Sequence, residues 1–224
     1  MFTEIANKFY KTFIFEDRYL FFVRGLKMTL LLTAASFILG VLLGVAFCAL
    51  RRCRSAAVRK ITEILVHFFV QLPTMVLLMV FVYIIFGSSA LSITVIVIFG
   101  LTIKAGAYLS EVFCTALDTV SPGEIEAART LGMTAVQTFF HVTLPQAVSA
   151  GLPLLKNQFI STMQETSVVG YLAVMDLTRA SNVVTMRTMD ALFGLIMVSA
   201  IYIVLGYIGQ ALLNLLGIRR HIGG

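Results

Sequence analysis

Long stretches without a charged residue constrain this chain more than any other feature. Residues 28–50 and 64–86 each run for 23 positions without Asp, Glu, Lys or Arg. A helix needs about 20 mostly apolar residues to cross the hydrocarbon core of a bilayer. A soluble protein of 224 residues could not bury this much apolar surface, because 59% of the residues are hydrophobic and only 12% are charged. The sequence therefore predicts an all-α integral membrane protein.

Hydropathy predicts five transmembrane helices, at residues 22–50, 62–86, 91–117, 148–172 and 191–216. The fourth is the least apolar, because it contains Lys156, Gln164 and Glu165. Such a helix is costly beside lipid, so we expect it to face protein or a polar cavity.

Segments at both ends of the chain are predicted to lie outside the transmembrane domain of residues 25–216. Residues 1–24 alternate aromatic and charged side chains, which is typical of an N-terminal interfacial segment. A partly ordered tail is an equal alternative for that segment. Residues 217–224 are predicted to form a cytoplasmic tail.

The distribution of Lys and Arg bears on the orientation in the membrane. With an odd number of helices, one side holds eight of these residues and the other holds seven, so the total decides nothing. The dense cluster in the loop after the first helix favours an N-terminus outside the cell. Its members are Arg51, Arg52, Arg54, Arg59 and Lys60.

The segment between the third and fourth predicted helices, residues 121–147, is too polar to span a membrane and too patterned for a loose linker. Pro122 is suited to the first position of a helix, and Gly132 to a left-handed helix end. Two residue pairs match capping boxes; they are Ser121 with Glu124, and Thr134 with Gln137. The pattern predicts two short helices outside the bilayer, joined by a glycine turn.

This segment resembles the EAA loop of bacterial ABC importer permeases. The family pattern is Glu-Ala-Ala, three residues, Gly, nine residues, an aliphatic residue, one residue, then Leu-Pro. The matching residues here are Glu126, Ala127, Ala128, Gly132, Val142, Leu144 and Pro145. Three other stretches are similar to polar amino-acid permeases of the histidine, glutamate and arginine type: KAGAYLSEVF (104–113), LPLLKNQFISTMQETSVVG (152–170) and DLTRASN (176–182).

The resemblance implies a type I ABC importer-like permease that moves a polar amino acid into the cell by alternating access. It implies a multi-pass protein of the bacterial inner membrane, with its N-terminus outside and its C-terminus in the cytoplasm. It also implies several partners: ABC ATPase subunits, a second permease copy or a paralogue, an extracytoplasmic solute-binding protein and membrane lipid. The net charge of +6 is attributed to topology and anionic lipid, and no nucleic acid is expected.

Cytoplasmic coupling helices that dock on the ATPase are a further implication of the resemblance. The expected coupling residues are Glu126, Ala127, Ala128, Arg129, Gly132, Leu144 and Pro145. Glu126 and Arg129 are the charges that we expect to touch the ATPase. For Glu126, the alternative is stabilisation of the helix dipole from the first turn.

The sequence offers no catalytic machinery. It contains no GxxxxGK[ST] phosphate loop, no evident nucleophile–base pair and no metal-spaced histidines. We therefore expect a subunit that is not an enzyme and binds no cofactor or metal, while ATP and Mg²⁺ are used by the partner ATPase. Cys48, Cys53 and Cys114 lack metal-ligand spacing, and packing is the preferred interpretation for them.

Polar residues within the predicted helices are the candidates for a substrate cavity, because such positions are costly in lipid and usually functional. They are Gln71, Lys104, Tyr108, Glu111, Gln164, Glu165 and Thr166. Lys104 could meet a substrate carboxylate or pair with a buried acid such as Glu165, and both hypotheses stay open. The family usually has a small polar residue at this position, so its specificity does not transfer directly.

Three further interpretations stay open from the sequence. Pro73, after Gln71, permits a kink that could expose backbone to substrate or serve packing alone. Asp176 and Arg179 could belong to an outer gate or to the docking surface for a solute-binding protein. A passive channel and a non-transporting scaffold are the competing function classes.

Overall fold

The computed structural model describes residues 8–216, and these fold almost entirely into helices. The predicted tail at 217–224 and the first seven residues of the predicted interfacial segment lie outside the described residues. Short π and 3₁₀ turns at Tyr10–Ile14 and Phe15–Asp17 precede the first long helix. The α-helices are α1 (Tyr19–Arg51), α2 (Ala56–Gln71), α3 (Thr74–Met79), α4 (Ile93–Asp118), α5 (Pro122–Thr130), α6 (Ala135–Thr138), α7 (Leu144–Glu165), α8 (Leu177–Thr188) and α9 (Ala191–Leu216).

The described residues form two compact units, and three long helices contribute a segment to each. The first unit contains the residues up to Ser36, with Pro73–Leu101 and Ile160–Leu216. The second contains Phe37–Leu72 and Thr102–Phe159. The boundaries fall inside α1, α4 and α7.

Within residues 8–216, three helices are long and apolar enough to cross a bilayer: α1, α4 and α9. A fourth span is counted if α2 is joined with Thr74–Ile85, which is α3 and the π turn that follows it. These two pieces are bent by 105°, so the helix predicted at 62–86 is broken where Pro73 permits a kink. Pro73 is the physical cause, since it lacks an N–H and disfavours a helical residue before it.

The helix predicted at 148–172 has different ends in the structure. α7 begins at Leu144 and ends at Glu165, and a 3₁₀ segment follows at Thr166–Leu172. α7 is not among the apolar helices that could span a bilayer. The described chain thus provides three or four such spans, and the predicted count of five is not reproduced.

Glycines bring α1 and α4 into close contact in the second unit, in agreement with the usual role of small residues between membrane helices. A Cβ atom added at Gly40 would lie 2.8 Å from the Ala105 Cβ, and one added at Gly44 would lie 2.7 Å from the Leu109 Cβ. From α4, a Cβ on Gly106 would meet the Leu43 side chain at 2.9 Å. The two helices therefore pack with their backbones close together.

A buried carboxylate organises the start of α8 in the first unit. Asp176 is fully buried, and it accepts hydrogen bonds from the Arg179 and Thr178 backbone N–H groups at 2.9 and 3.1 Å. The Arg179 guanidinium donates to the Gly170 carbonyl at 3.0 Å. Both residues therefore contribute to the local fold at the start of α8, where Asp176 is buried and Arg179 is partly exposed.

Gly44→Ala tests the close contact between α1 and α4. The added methyl group would overlap with Leu109, and such overpacking typically costs about 1–3 kcal/mol. We expect a clearly lower apparent Tm for the purified transporter. Gly123→Ala is the matched control, since its Cβ would meet only the Ser121 hydroxyl, at 3.7 Å. Equal Tm values for the two variants would contradict the close contact.

Candidate functional site

The first part of the loop forms α5, which begins after Ser121 with Pro122 at its first position. The predicted capping box at this end is wrong. The Ser121 side chain makes no capping hydrogen bond, and the Glu124 carboxylate instead accepts one from the Gln146 side chain of α7. This contact attaches the first turn of α5 to the start of α7.

The glycine turn and the second capping box are confirmed. Gly132 has φ +90°, a conformation that favours glycine, and the space around it is open. The Thr134 hydroxyl accepts from the Gln137 N–H at 3.3 Å, and the Gln137 side chain accepts from the Thr134 N–H at 2.8 Å. The chain therefore reverses at Gly132 and enters a well-capped helix.

The second helix of the loop is not a separate short helix, which corrects the prediction. α6 passes into a π turn at Phe139–Thr143, and this turn passes into α7 at Leu144. Phe139 and Leu144, at the two junctions, have helical dihedral angles. A continuous helical segment thus runs from the capping box to Glu165.

One side of α5 is anchored on its neighbours in the second unit. Ala128 is buried, and Ile125 packs against a small apolar cluster. The members of that cluster are Ala116 near the end of α4, Val120 just after α4, and Ala147 on α7. One face of α5 therefore packs against two long helices, α4 and α7.

The other side of the loop is exposed. Glu126, Ala127, Arg129 and Gly132 are exposed, whereas Leu144 and Pro145 are partly buried. Glu126 lies beyond the first turn of α5, where Glu124 is the acidic residue. Stabilisation of the helix dipole from the first turn is therefore not its role.

Sequence reasoning missed the apolar part of this exposed surface. Leu131 is 86% exposed, Val136 66% and Phe140 56%. We call the exposed residues Glu126, Ala127, Arg129, Leu131, Val136 and Phe140 the loop surface. The available signal was an apolar residue beside a glycine turn, in a segment otherwise rich in polar residues.

Three of the predicted cavity residues lie on one face of α4 and contact α2, within the second unit. The Lys104 ammonium donates to the Leu72 carbonyl, and the Tyr108 hydroxyl donates to the Val70 carbonyl at 3.3 Å. The third contact joins Glu111 Oε1 to His67 Nδ1 at 3.5 Å. We call these three contacts the polar ladder.

The Lys104 and Tyr108 contacts of the polar ladder supply donors to backbone carbonyl groups that lack a helical partner at the end of α2. A helix leaves its last four carbonyls without a partner inside the helix, and Pro73 cannot supply an N–H beyond them. Lys104 is only 4% exposed, and a cation near a helix C-terminus also complements the helix dipole. Because the Leu72 and Val70 carbonyls are bonded to α4, the structure supports the interpretation that the Pro73 kink serves packing. Gln71, at the same end of α2, is exposed.

The remaining predicted cavity residues, Gln164, Glu165 and Thr166, belong to the first unit. Gln164 lines an open cavity of about 250 Å³ between α7 and α9. Three polar residues on α9 share this cavity and were missed by sequence reasoning: Tyr202, Tyr207 and Gln210. Thr166 is buried, and its hydroxyl donates to the Met163 carbonyl at 2.7 Å. Glu165 is partly buried beside it in sequence.

Comparisons with known proteins agree on one family. A family model described as "Binding-protein-dependent transport system inner membrane component" matches residues 36–221. The chain is 30% identical over 159 residues to the probable amino-acid permease protein YxeN of Bacillus subtilis (strain 168), covering 69% of this chain and 71% of that protein. It is 29% identical over 202 residues to the L-cystine transport system permease protein TcyB of the same strain, covering 88% and 82%.

A solved structure shows the same architecture. The crystal structure of an amino acid ABC transporter with histidines aligns with a TM-score of 0.80 at 29% identity. The alignment covers 88% of this chain and 92% of that chain.

Lys104→Met tests the contact between Lys104 and the Leu72 carbonyl in the polar ladder. Without the ammonium, the Leu72 carbonyl loses a partner, which typically costs about 1–3 kcal/mol for a buried group. We expect a lower apparent Tm for the purified transporter, and Lys60→Met, at an exposed position on α2, serves as the matched control. Lost uptake with an unchanged Tm would contradict this structural role and favour contact with a substrate carboxylate.

Proposed function

Since the chain belongs to the family of inner membrane components of binding-protein-dependent transport systems, we propose that it imports a polar amino acid by alternating access. It is the permease component of an ABC amino-acid importer. In the proposal, the driving force is ATP hydrolysis in a separate subunit, transmitted through the loop surface. The observation that carries this proposal is the exposed Glu126-Ala127 side of an anchored helix, next to the reversal at Gly132.

The composition of the loop surface supports docking of a protein. Leu131 supplies an apolar side chain that is almost fully exposed, and Glu126 and Arg129 supply charges of both signs on the same short helix. Interfaces commonly combine an apolar anchor with a polar rim. A groove on an ATPase subunit that accepts Leu131 would hold the two charges at its edge.

The anchoring of α5 supports transmission of motion. Ile125 fixes α5 on α4 and α7, and Gln146 bonds to Glu124. Displacement of the loop surface is therefore passed directly to two long helices. Rigid pieces of this kind convert a local movement into rearrangement of packed helices.

The protein is a multi-pass inner membrane protein, and the proposal adds its orientation and partners. The loop surface faces the cytoplasm, so the N-terminus lies outside and the C-terminus inside. Two ATPase subunits use ATP and Mg²⁺, a second permease copy or a paralogue completes the pathway, and an extracytoplasmic binding protein delivers the substrate. α7 serves as the fifth span, with its polar residues turned away from lipid.

For the substrate site, we favour the cavity lined by Gln164 and Gln210. Side-chain amides both donate and accept hydrogen bonds, so two of them can bind the carboxylate and the ammonium of a zwitterion. Tyr202 and Tyr207 add hydroxyl groups and ring surface. The cavity volume of about 250 Å³ is sufficient for one amino acid. Direct contact of Lys104 with the substrate carboxylate is the alternative, and the Lys104→Met variant separates the two.

Leu131→Ala tests the docking of the ATPase. Truncation of an anchor residue typically costs more than about 1 kcal/mol, which corresponds to roughly fivefold weaker binding. We expect less permease to copurify with a tagged ATPase subunit, and slower ATP-driven uptake into proteoliposomes. Thr130→Ala is the control at the neighbouring position, since the Thr130 hydroxyl bonds internally to the Glu126 carbonyl at 2.9 Å.

Two results would contradict the coupling proposal. One is full copurification and uptake by the Leu131→Ala variant. The other is uptake by the wild type without ATP, which would favour a passive channel.

Gln164→Leu tests the proposed substrate site. Loss of one hydrogen bond to the substrate, about 1 kcal/mol, should raise the KM for amino-acid uptake roughly fivefold while assembly with the ATPase is retained. Tyr207→Phe should also raise KM, whereas Tyr83→Phe provides the matched control at an exposed position outside the cavity. An unchanged KM for both cavity variants would exclude this cavity as the substrate site.

A further inference from the structure

Two cysteines that are far apart in sequence meet inside the second unit. Cys48 lies near the end of α1 and Cys114 near the end of α4, and both are free thiols. Their Sγ atoms are 2.7 Å apart. A disulfide bond is about 2.05 Å long, so only a small approach separates this pair from a covalent bond. Packing alone, which the sequence predicts for these residues, does not require the two sulfurs to meet.

The close packing of α1 on α4 accounts for the meeting. Gly40, Gly44 and Cys48 follow a spacing of four residues, so they lie on one face of α1. Gly44 brings the α1 backbone so near that an added Cβ would lie 3.1 Å from the Ser110 backbone nitrogen. One turn further along, the short cysteine side chains span the remaining distance.

A largely apolar cavity reaches Cys48, one member of the thiol pair. It has a volume of about 570 Å³, and Cys48 is one of its lining residues. Its other walls come mainly from apolar side chains of α1, α4 and α7, such as Val45, Phe113 and Leu152. Arg52 also lines this cavity, and small uncharged molecules can enter it without the cost of desolvating a charge.

We propose that Cys48 and Cys114 form an oxidation site at which small, uncharged two-electron oxidants, such as hydrogen peroxide, produce an intramolecular disulfide. One sulfur attacks a peroxide oxygen, the O–O bond breaks, and a sulfenic acid and one water molecule result. The second thiol then attacks the sulfenic sulfur, which forms the S–S bond and releases the second water molecule. Both thiols are oxidised, one peroxide is reduced, and the four hydrogen atoms end in two water molecules.

The product is a covalent bond between α1 and α4. The described structure places no comparable link between these helices, because the three cysteines of the chain are all free. This oxidation site does not depend on the proposed transport function, since it follows from the sulfur geometry and the cavity alone.

The test uses the complete transporter in proteoliposomes. The sample is treated with hydrogen peroxide, quenched with catalase, denatured in detergent and labelled with a maleimide. The intact mass of the permease is then measured. We expect a species that is lighter by two hydrogen atoms and carries one label, on Cys53, where the untreated chain carries three. Dithiothreitol before labelling should restore all three labels.

Matched variants identify the pair. Cys53→Ser should still form the lighter species, now without a label, whereas Cys48→Ser and Cys114→Ser should not form it. Three outcomes would overturn the proposal: three labels after treatment, oxygen addition to Cys48 or Cys114 without loss of two hydrogen atoms, or a disulfide between two permease copies on a non-reducing gel.

Discussion

A backbone carbonyl that is released inside a membrane must find another donor, because lipid offers none. Pro73 leaves carbonyl groups at the end of α2 without a helical N–H partner. Lys104 and Tyr108 of α4 donate hydrogen bonds to the Leu72 and Val70 carbonyls. The same face of α4 then continues to Glu111, which contacts His67. Lys104 and Tyr108, two of the candidates for the substrate cavity, thus help to hold a bent helix in place. A polar residue in a membrane helix needs a hydrogen-bond partner, and a substrate is only one of the groups that can serve as that partner.

Close contact between α1 and α4 is the second constraint. Glycines at positions 40 and 44 remove the side chains that would keep the helices apart, and Leu109 and Ser110 occupy the space. The polar ladder and the thiol pair join α4 to different neighbours, α2 and α1. α4 is therefore the helix around which the second unit is arranged.

The sequence predicts the helical class and the glycine turn well, because both follow from local rules. Gly132 and the pair Thr134–Gln137 require only neighbouring residues, and both are confirmed. The capping box at Ser121 fails because Gln146, 22 residues away, binds Glu124. The break at Pro73 could be suspected from the sequence, whereas its 105° angle and the α4 donors beside it could not. Of the residues that line the cavity near Gln164, only Gln164 was a candidate from the sequence, because Tyr207 and Gln210 lie in a strongly apolar helix that conceals them.

Lys104 also has a consequence for biogenesis. A lysine at the centre of an isolated membrane helix raises the free energy of insertion by about 2.5–3.5 kcal/mol. Leu72 precedes Lys104 by 32 residues, so the segment that carries its carbonyl leaves the ribosome before Lys104 does. The Leu72 carbonyl, which accepts the hydrogen bond, is thus synthesised before the Lys104 ammonium. A chain rearranged so that α4 preceded α2 would have to insert the ammonium before its acceptor existed.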